Sequence, residues 1–488
     1  MTTSSPHRLD WADIQGNVLR GYNLPVARHC FYRVTEAVHA RELIASLIAE
    51  VTTAEDQRSD GGKWSEGTKP HSTLNVAFTY SGLAALGVPE PALFAFPPEF
   101  RVGMRGRTRV LIDRGPSAFE NWDQLWREEA VHVVLMLYAP NTRALGERYD
   151  ALKERIIDRG GLTLAGLQDC AMRLIDGRMQ EHFGYIDGFG NPDVAGAPGK
   201  TRPGRGKVTS DGTWEPVAPG GFLLGSEDEA GETVPTPQPS LMFRNGTFMV
   251  YRKLHQNVAT FRRFIRDESN RLGIAPELLA AKMVGRWPDG TPIELSPERP
   301  DPEIVNDPNQ NTNFMYGNDP QGARCPLGAH IRRANPRDSL GFGGVLVNPR
   351  RIIRRGIPYG AYTPPNAVGD DRAEHGLIFI AFNASISQQF EFVQQQWMNY
   401  GNDFNQGNDK DPLVGNHLER DKLLIPGNAS QHGAHRTHVC VGLPMFVETR
   451  GGDYFFMPSL AGLGVICNAP SLAVSHAASA NAAAPVRF

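Results

Sequence analysis

The order in which the hydrophobic period changes along the first part of the chain constrains the fold more than any other feature. Apolar residues mark a short strand at 29–34, then recur at helical spacing over 36–51, where Ala37, Ala40, Leu43, Ile44 and Ile48 share one face. A second strand follows at 73–79, a buried strand at 131–138, a helix at 142–159 and a further strand within 162–174. The order is βαββαβ, which predicts a ferredoxin-like unit: an antiparallel sheet with helices on one face. The class is α+β.

Residues 189–240 break this pattern with Gly, Pro, Ser and charge and little periodicity, so a boundary belongs near their end. The division is 1–220 and 221–488. The order then restarts with a strand at 247–252, a helix at 257–272, a strand at 377–383, a helix at 386–400 and a strand at 454–457. On the helix at 386–400, Ile386, Phe390, Val393 and Trp397 form one stripe, which reads as core packing. The Ala-rich tail from Ser471 reads as a loose terminus.

Composition narrows the function. Fifty Lys and Arg against 53 Asp and Glu leave a net charge of −3, without the positive excess that a phosphate backbone requires, so nucleic acid is excluded as the main partner. The most apolar stretch, 133–138, is far short of the roughly 20 residues of a membrane span. Cys30, Cys170, Cys325, Cys440 and Cys467 are odd in number and scattered, with no C-x-x-C pair, so neither a disulfide framework nor a zinc ribbon is written here. No basic and apolar export signal opens the chain, which points to the cytoplasm.

Neither H-E-x-x-H nor G-x-S-x-G occurs, and the nearest phosphate loop, Gly199-Lys200-Thr201, has Val194 where its first glycine should stand. Three segments remain. Phe183-Gly184-Tyr185-Ile186-Asp187-Gly188-Phe189-Gly190-Asn191-Pro192 sets an acid among glycines, and its plain reading is an Asp-Gly turn. In the run from Arg324 to Arg337, His330 follows small residues and is surrounded by arginines; it is an axial metal ligand or a hydrogen-bonded structural histidine. Cys325 is a rival haem ligand that lacks the F-x-x-G-x-x-x-C pattern of thiolate enzymes. The run from Arg351 to Gly360 carries guanidinium groups into a Gly/Pro turn, or onto the surface. His432, His435 and His438, spaced by threes, invite a metal reading but suit a loop leading into a strand better.

Together and in this order, these segments resemble the family of dye-decolorizing peroxidases, over nearly the whole chain. The resemblance rests on Asp13-Ile14-Gln15-Gly16-Asn17, G-x-x-D-G at Gly184 to Gly188, A-H-I-R at Ala329 to Arg332 and I-I-R-x-G-I-P-Y-G at Ile352 to Gly360. It continues in Q-Q-F-E-F at Gln388 to Phe392 and R-G-G-x-Y-F-F-x-P-S at Arg450 to Ser459. The long insertions are similar to the larger type C/V subgroup. The resemblance implies two ferredoxin-like domains with one haem b per chain between distal and proximal elements. It also implies a peroxidase that uses H2O2 to oxidise dye-like, phenolic or other reducing substrates by one-electron steps through an oxoferryl intermediate. A haem-handling protein with little turnover is the alternative.

By the same resemblance, Asp187 is the distal acid/base and Arg354, with Arg355 as its rival, the fixed distal charge. His330 is the iron ligand, and Glu391 is the carboxylate behind it. Leu377 and Phe379, two apart on one strand, share a face above the haem. Arg332 and Arg337 are candidates for the haem propionates, with Arg332 favoured. Trp397 and Tyr359 are candidate electron relays to the surface.

Overall fold

The computed structural model describes residues 9–55, 70–197, 201–209, 211–233, 236–364, 369–418, 421–427 and 437–469. The Gly199-Lys200 pair, His432, His435 and the tail from Ser471 lie outside the described residues. The first unit consists of β1 (Val26–Val34), α1 (Ala37–Leu47), β2 (Thr73–Phe78), β3 (Val133–Ala139), α2 (Thr142–Arg159) and β4 (Leu162–Ala171). Both helices are capped as their sequences dictate. Glu36 accepts from the amides of Val38 and His39, Asn141 accepts from Ala144 N at 2.9 Å, and Gly160, at φ 71°, ends α2.

After a short strand β5 (Arg178–Gln180), the second unit has β6 (Thr247–Gln256), α3 (Val258–Leu272), β7 (Ile353–Arg354), β8 (Ile357–Gly360), β9 (His375–Asn383) and β10 (Val447–Met457). The strand order is β7-β9-β6-β10-β2-β3-β1-β4, with β8 also paired to β9, so the two units share one nine-stranded sheet. They meet where Phe456 of β10 pairs with Phe78 of β2, both fully buried. All strand pairings in this sheet are antiparallel, as the sequence pattern predicts.

Two elements differ from expectation. The last strand extends back to Val447, because Gly451 and Gly452 hide the alternation while the backbone stays paired to β6 through an irregular register. The helix expected at 386–400 is wound as π-helix over Ser387–Glu391 and Val393–Met398, with Glu391 N bonded to Ile386 O at 2.9 Å. The wider turn changes which side chains share a face.

The opening Asp13-Ile14-Gln15-Gly16-Asn17 segment ties the units together. The Gln15 amide donates to Val76 O (2.8 Å) on β2 and Pro458 O (2.9 Å) after β10, and accepts from Val76 N (3.0 Å) and Asn75 Nδ2 (3.2 Å). Gly16 allows the close approach, since a Cβ there would lie 2.5 Å from Thr53 O. Asp13 accepts from Asn245 Nδ2 and Ala461 N, both at 2.8 Å. Replacing the buried Gln15 with Ala leaves these backbone groups unpaired and is expected to cost about 1–3 kcal/mol. The exposed Gln124→Ala control should stay within about 0.5 kcal/mol. Urea midpoints at constant slope measure both.

Candidate active site

A cavity offering about 320 Å³ to the centres of water-sized molecules is lined by the loop after β5, the start of β7, the outward face of β9 and the helix α4 (His330–Ala334). Asp187, His330, Arg354, Leu377 and Phe379 all line it. Leu377 and Phe379 do so because β9 alternates: Ile378 and Ile380 are buried beneath the sheet while their neighbours face the cavity.

His330 opens α4, and its Nδ1 lies 2.9 Å from Asp411 Oδ2. Asp411 has no exposed surface, and its other oxygen accepts from Leu413 N (2.9 Å) and Val414 N (2.8 Å). A carboxylate so held is an acceptor, so Nδ1 carries the proton and Nε2 presents its lone pair. Burial opposes charge on both groups. Their mutual attraction and hydrogen bond outweigh it, raising the His330 pKa above 6.5 and lowering that of Asp411 below 3.8.

Glu391 is not the carboxylate behind His330. Its oxygens take Arg107 in a bidentate pair (2.9 and 2.6 Å) and the Tyr454 hydroxyl (2.9 Å). Phe390 and Val393 line the cavity and Glu391 does not, so the stripe read as core also serves the site. Asp411 was missed because it sits in the aperiodic Asn408-Asp409-Lys410-Asp411-Pro412 segment, which carries no motif. Cys325 is fully buried away from the cavity, and burial pushes its thiol pKa to about 12, which removes it as a thiolate ligand.

On the loop after β5, Asp187 Oδ1 lies 3.4 Å from Arg354 Nη1 and accepts from Gly188 N at 2.6 Å. Gly188 at φ 103° suits the turn that aims this amide. Asn191 clamps the backbone of Arg354 from both sides, accepting from its N–H (2.8 Å) and donating to its carbonyl (3.0 Å), while Arg354 Nη2 donates to Phe189 O (3.0 Å). The loop thus holds the arginine it faces. Burial alone would raise the Asp187 pKa; Arg354, the Gly188 amide and His330 hold it below 3.8. Arg355 is directed elsewhere, donating to Asn17 O and Val18 O.

The charges lining the cavity do not balance. Of its carboxylates, Asp113 pairs with Arg252, Asp187 pairs with Arg354, and Glu181 accepts from the amides of Phe183 and Tyr185. Arg286, Arg337 and Arg351 are left with backbone carbonyl partners, those of Arg351 at 3.4 and 3.5 Å. Burial first, then Arg337, lowers the pKa of Arg286 to about 10 and of Arg351 to about 9. Such a cluster fits a ligand carrying two carboxylates. An imidazole lone pair, an apolar wall and surplus guanidinium charge are the donor set that haem and its propionates require. Arg332 does not belong to this set: it is 1% exposed, off the cavity, and bonded to Asp319 and Cys325 O.

Trp397 and Tyr359 are also buried, at 2% and 3% exposure, so neither reaches the surface as a relay. His438 lies in a strand, and among the described residues no group of three His, Cys, Asp or Glu is arranged to hold a metal ion. No helix of the described residues is long and apolar enough to cross a membrane.

Comparison with known proteins identifies the family. Residues 13–161 match the DyP dimeric alpha+beta barrel domain, and residues 282–409 match the Dyp-type peroxidase C-terminal family. The dye-decolorizing peroxidase msp1 of Mycetinis scorodonius is 31% identical over 490 residues, covering 95% of this chain and 89% of that protein. The multifunctional dye peroxidase DyP2 of Amycolatopsis sp. is 31% identical over 483 residues, covering 92% and 94%. A solved dye-decolorizing peroxidase in complex with 2,6-dimethoxyphenol superposes with a TM-score of 0.78 at 26% identity, covering 94% of this chain and 100% of that one. The chain belongs to the dye-decolorizing peroxidase family, and it is a haem b-dependent peroxidase acting on H2O2.

Proposed function

We propose that His330 Nε2 binds the haem iron, that Asp411 orients and enriches this ligand, and that Asp187 and Arg354 form the peroxide-handling side of the same cavity. The observation that carries this reading is the pairing of His330 with Asp411 and of Asp187 with Arg354 around one cavity. When bound, haem supplies an iron that accepts peroxide oxygen and stores two oxidising equivalents. Asp187, ionised because its pKa lies low, accepts a proton from one peroxide oxygen and returns it to the other, so that water leaves. Arg354 keeps a fixed positive charge beside the oxygens on which negative charge develops. Leu377 and Phe379 narrow the space above and keep bulk water out. Arg337 and Arg351, rather than Arg332, hold the propionates.

The reductants are small phenols and dye-like molecules, which supply one electron at a time. We place the enzyme's work in the cytoplasm; the five cysteines, all buried as free thiols, suit a reducing compartment.

Asp187→Asn should lower kcat/KM for H2O2 by about 10²- to 10⁴-fold with the haem absorption band retained, measured by stopped flow. Undiminished turnover would remove Asp187 from the acid/base role. In the wild type, activity with peroxide should persist on acidification until the pH falls below the ordinary carboxylate value of 3.8, because the charged form of Asp187 is the favoured one.

Asp411→Asn should weaken haem binding to the apoprotein by about 10- to 100-fold. Iron binding needs neutral His330, whose pKa in the apoprotein is raised, so haem affinity should fall as the pH drops through a value above 6.5. Removing the Asp411 charge should move that onset to lower pH, as read by haem titration across pH.

A further inference from the structure

Three carboxylates line the haem cavity, and two of them, Asp113 and Asp187, each face an arginine. The third, Glu181, faces none. It is half-buried in the cavity wall, and among the described residues no Lys, Arg or His pairs with it.

Neutral donors alone meet its oxygens. Oε1 accepts from Tyr185 N (2.8 Å), and Oε2 accepts from Phe183 N (2.8 Å) and from Gln256 Nε2 (2.5 Å) at the end of β6. Residues 181–185 thus curl around the carboxyl group. Glu181 N donates to Tyr185 O and Gly184 N to Glu181 O, both at 3.0 Å, and these backbone bonds hold the turn whatever the charge on the side chain.

A buried carboxyl without a cation beside it keeps its proton more readily than one that has a cation. Burial raises the pKa of Glu181 to about 7 against the pull of its three donors, and the negative charge of Asp187 adds to the rise. Asp187 itself, with Arg354 beside it, is held below 3.8. The other titratable group close to Glu181 is the Tyr185 hydroxyl, which burial, then Glu181 and Glu277, keep protonated. From β6 only the neutral Gln256 amide meets the carboxyl. One carboxyl of the wall is therefore ionised through the mildly acid and neutral range, and another exchanges its proton near neutrality.

We propose that Glu181 couples protons to electrons in this cavity: each electron that reaches the haem draws a proton onto the Glu181 carboxylate. The proposal rests on the reading above that haem fills the cavity. An added electron makes a poorly solvated space more negative, so an ionised carboxylate on its wall binds a proton more tightly. By the same linkage, a proton already on Glu181 makes the electron easier to accept. Reduction of H2O2 to two waters consumes two electrons and two protons. Asp187 only moves a proton that the peroxide already holds, so the two protons that accompany the electrons enter through another group. Glu181 takes up one with each electron, forming its O–H bond, and passes it on as water forms. The electron comes from the reductant, and the proton from solvent or from the reductant's own hydroxyl.

Two measurements on the holoprotein test this, with the wild type, Glu181→Gln and Gln256→Leu. In infrared difference spectra, the wild type should show a protonated-carboxyl C=O band that disappears as the pH rises through about 7, and Glu181→Gln should lack it. Gln256→Leu removes a donor that favours the charged form, so there the band should persist to higher pH. The second measurement is the ferric–ferrous midpoint potential, with imidazole in excess so that hydroxide does not compete for iron. In the wild type it should be level in acid, where Glu181 is protonated before and after reduction, and fall with pH above the Glu181 midpoint. The fall should begin at higher pH in Gln256→Leu and be lost in Glu181→Gln. If Glu181→Gln does not fold, the shift in Gln256→Leu decides alone. A wild type without the band, or a potential with the same pH dependence in every folded variant, overturns the proposal. A haem spectrum unchanged in His330→Ala would overturn the cavity reading and the coupling with it, whereas the infrared result bears on Glu181 alone.

Discussion

The hydrogen bond between His330 and Asp411 is the contact on which the rest of the site depends. A carboxylate with no exposed surface stays ionised only if its charge is met, and here the imidazole N–H and two backbone amides meet it. The same bond fixes the imidazole tautomer, so the other nitrogen is left as a lone pair on the cavity wall. A histidine without that partner would have neither a set orientation nor a set tautomer. Because Asp411 lies 81 residues beyond His330, the bond also anchors a long loop segment beneath the site.

The distal side follows a similar logic with opposite charge. Asn191 fixes the backbone of Arg354, and Arg354 keeps Asp187 ionised, so each group is held by the loop or strand that carries the other. The shared sheet makes this possible. Asp187 follows the first unit's strands, Arg354, Leu377 and Phe379 ride on the second unit's strands, and the Phe78 to Phe456 junction with the Gln15 clamp keeps the two sets in register. The surplus of guanidinium groups at Arg286, Arg337 and Arg351 has a cost in buried charge that a dicarboxylate cofactor offsets.

Much of this was legible in the sequence. The βαββαβ order is visible because the continuous apolar runs of the buried strands β2 and β3 differ from the 3.6-residue period of the helices. Asp187, His330 and Arg354 in local motifs, with Leu377 and Phe379 on one strand face, lead to one cavity. What was not legible depends on contacts between distant segments. Asp411 carries no local signal. Glu391 was misplaced because it was carried over from the Q-Q-F-E-F match, and a motif on a helix does not say which distant segment its carboxylate meets, here Arg107 and Tyr454. Arg332 was misplaced because no periodicity marks the short helix α4; on that helix, two residues after His330, it does not share that residue's face. Arg337 lies beyond the end of that helix, at φ 54°, where the chain turns back to the cavity.

The most direct test of the account is the visible spectrum of the purified holoprotein before and after one equivalent of H2O2, followed by stopped flow. The account predicts a haem absorption band that shifts within the mixing experiment and returns when a phenolic reductant is added. A haem band that peroxide leaves unmoved would contradict it.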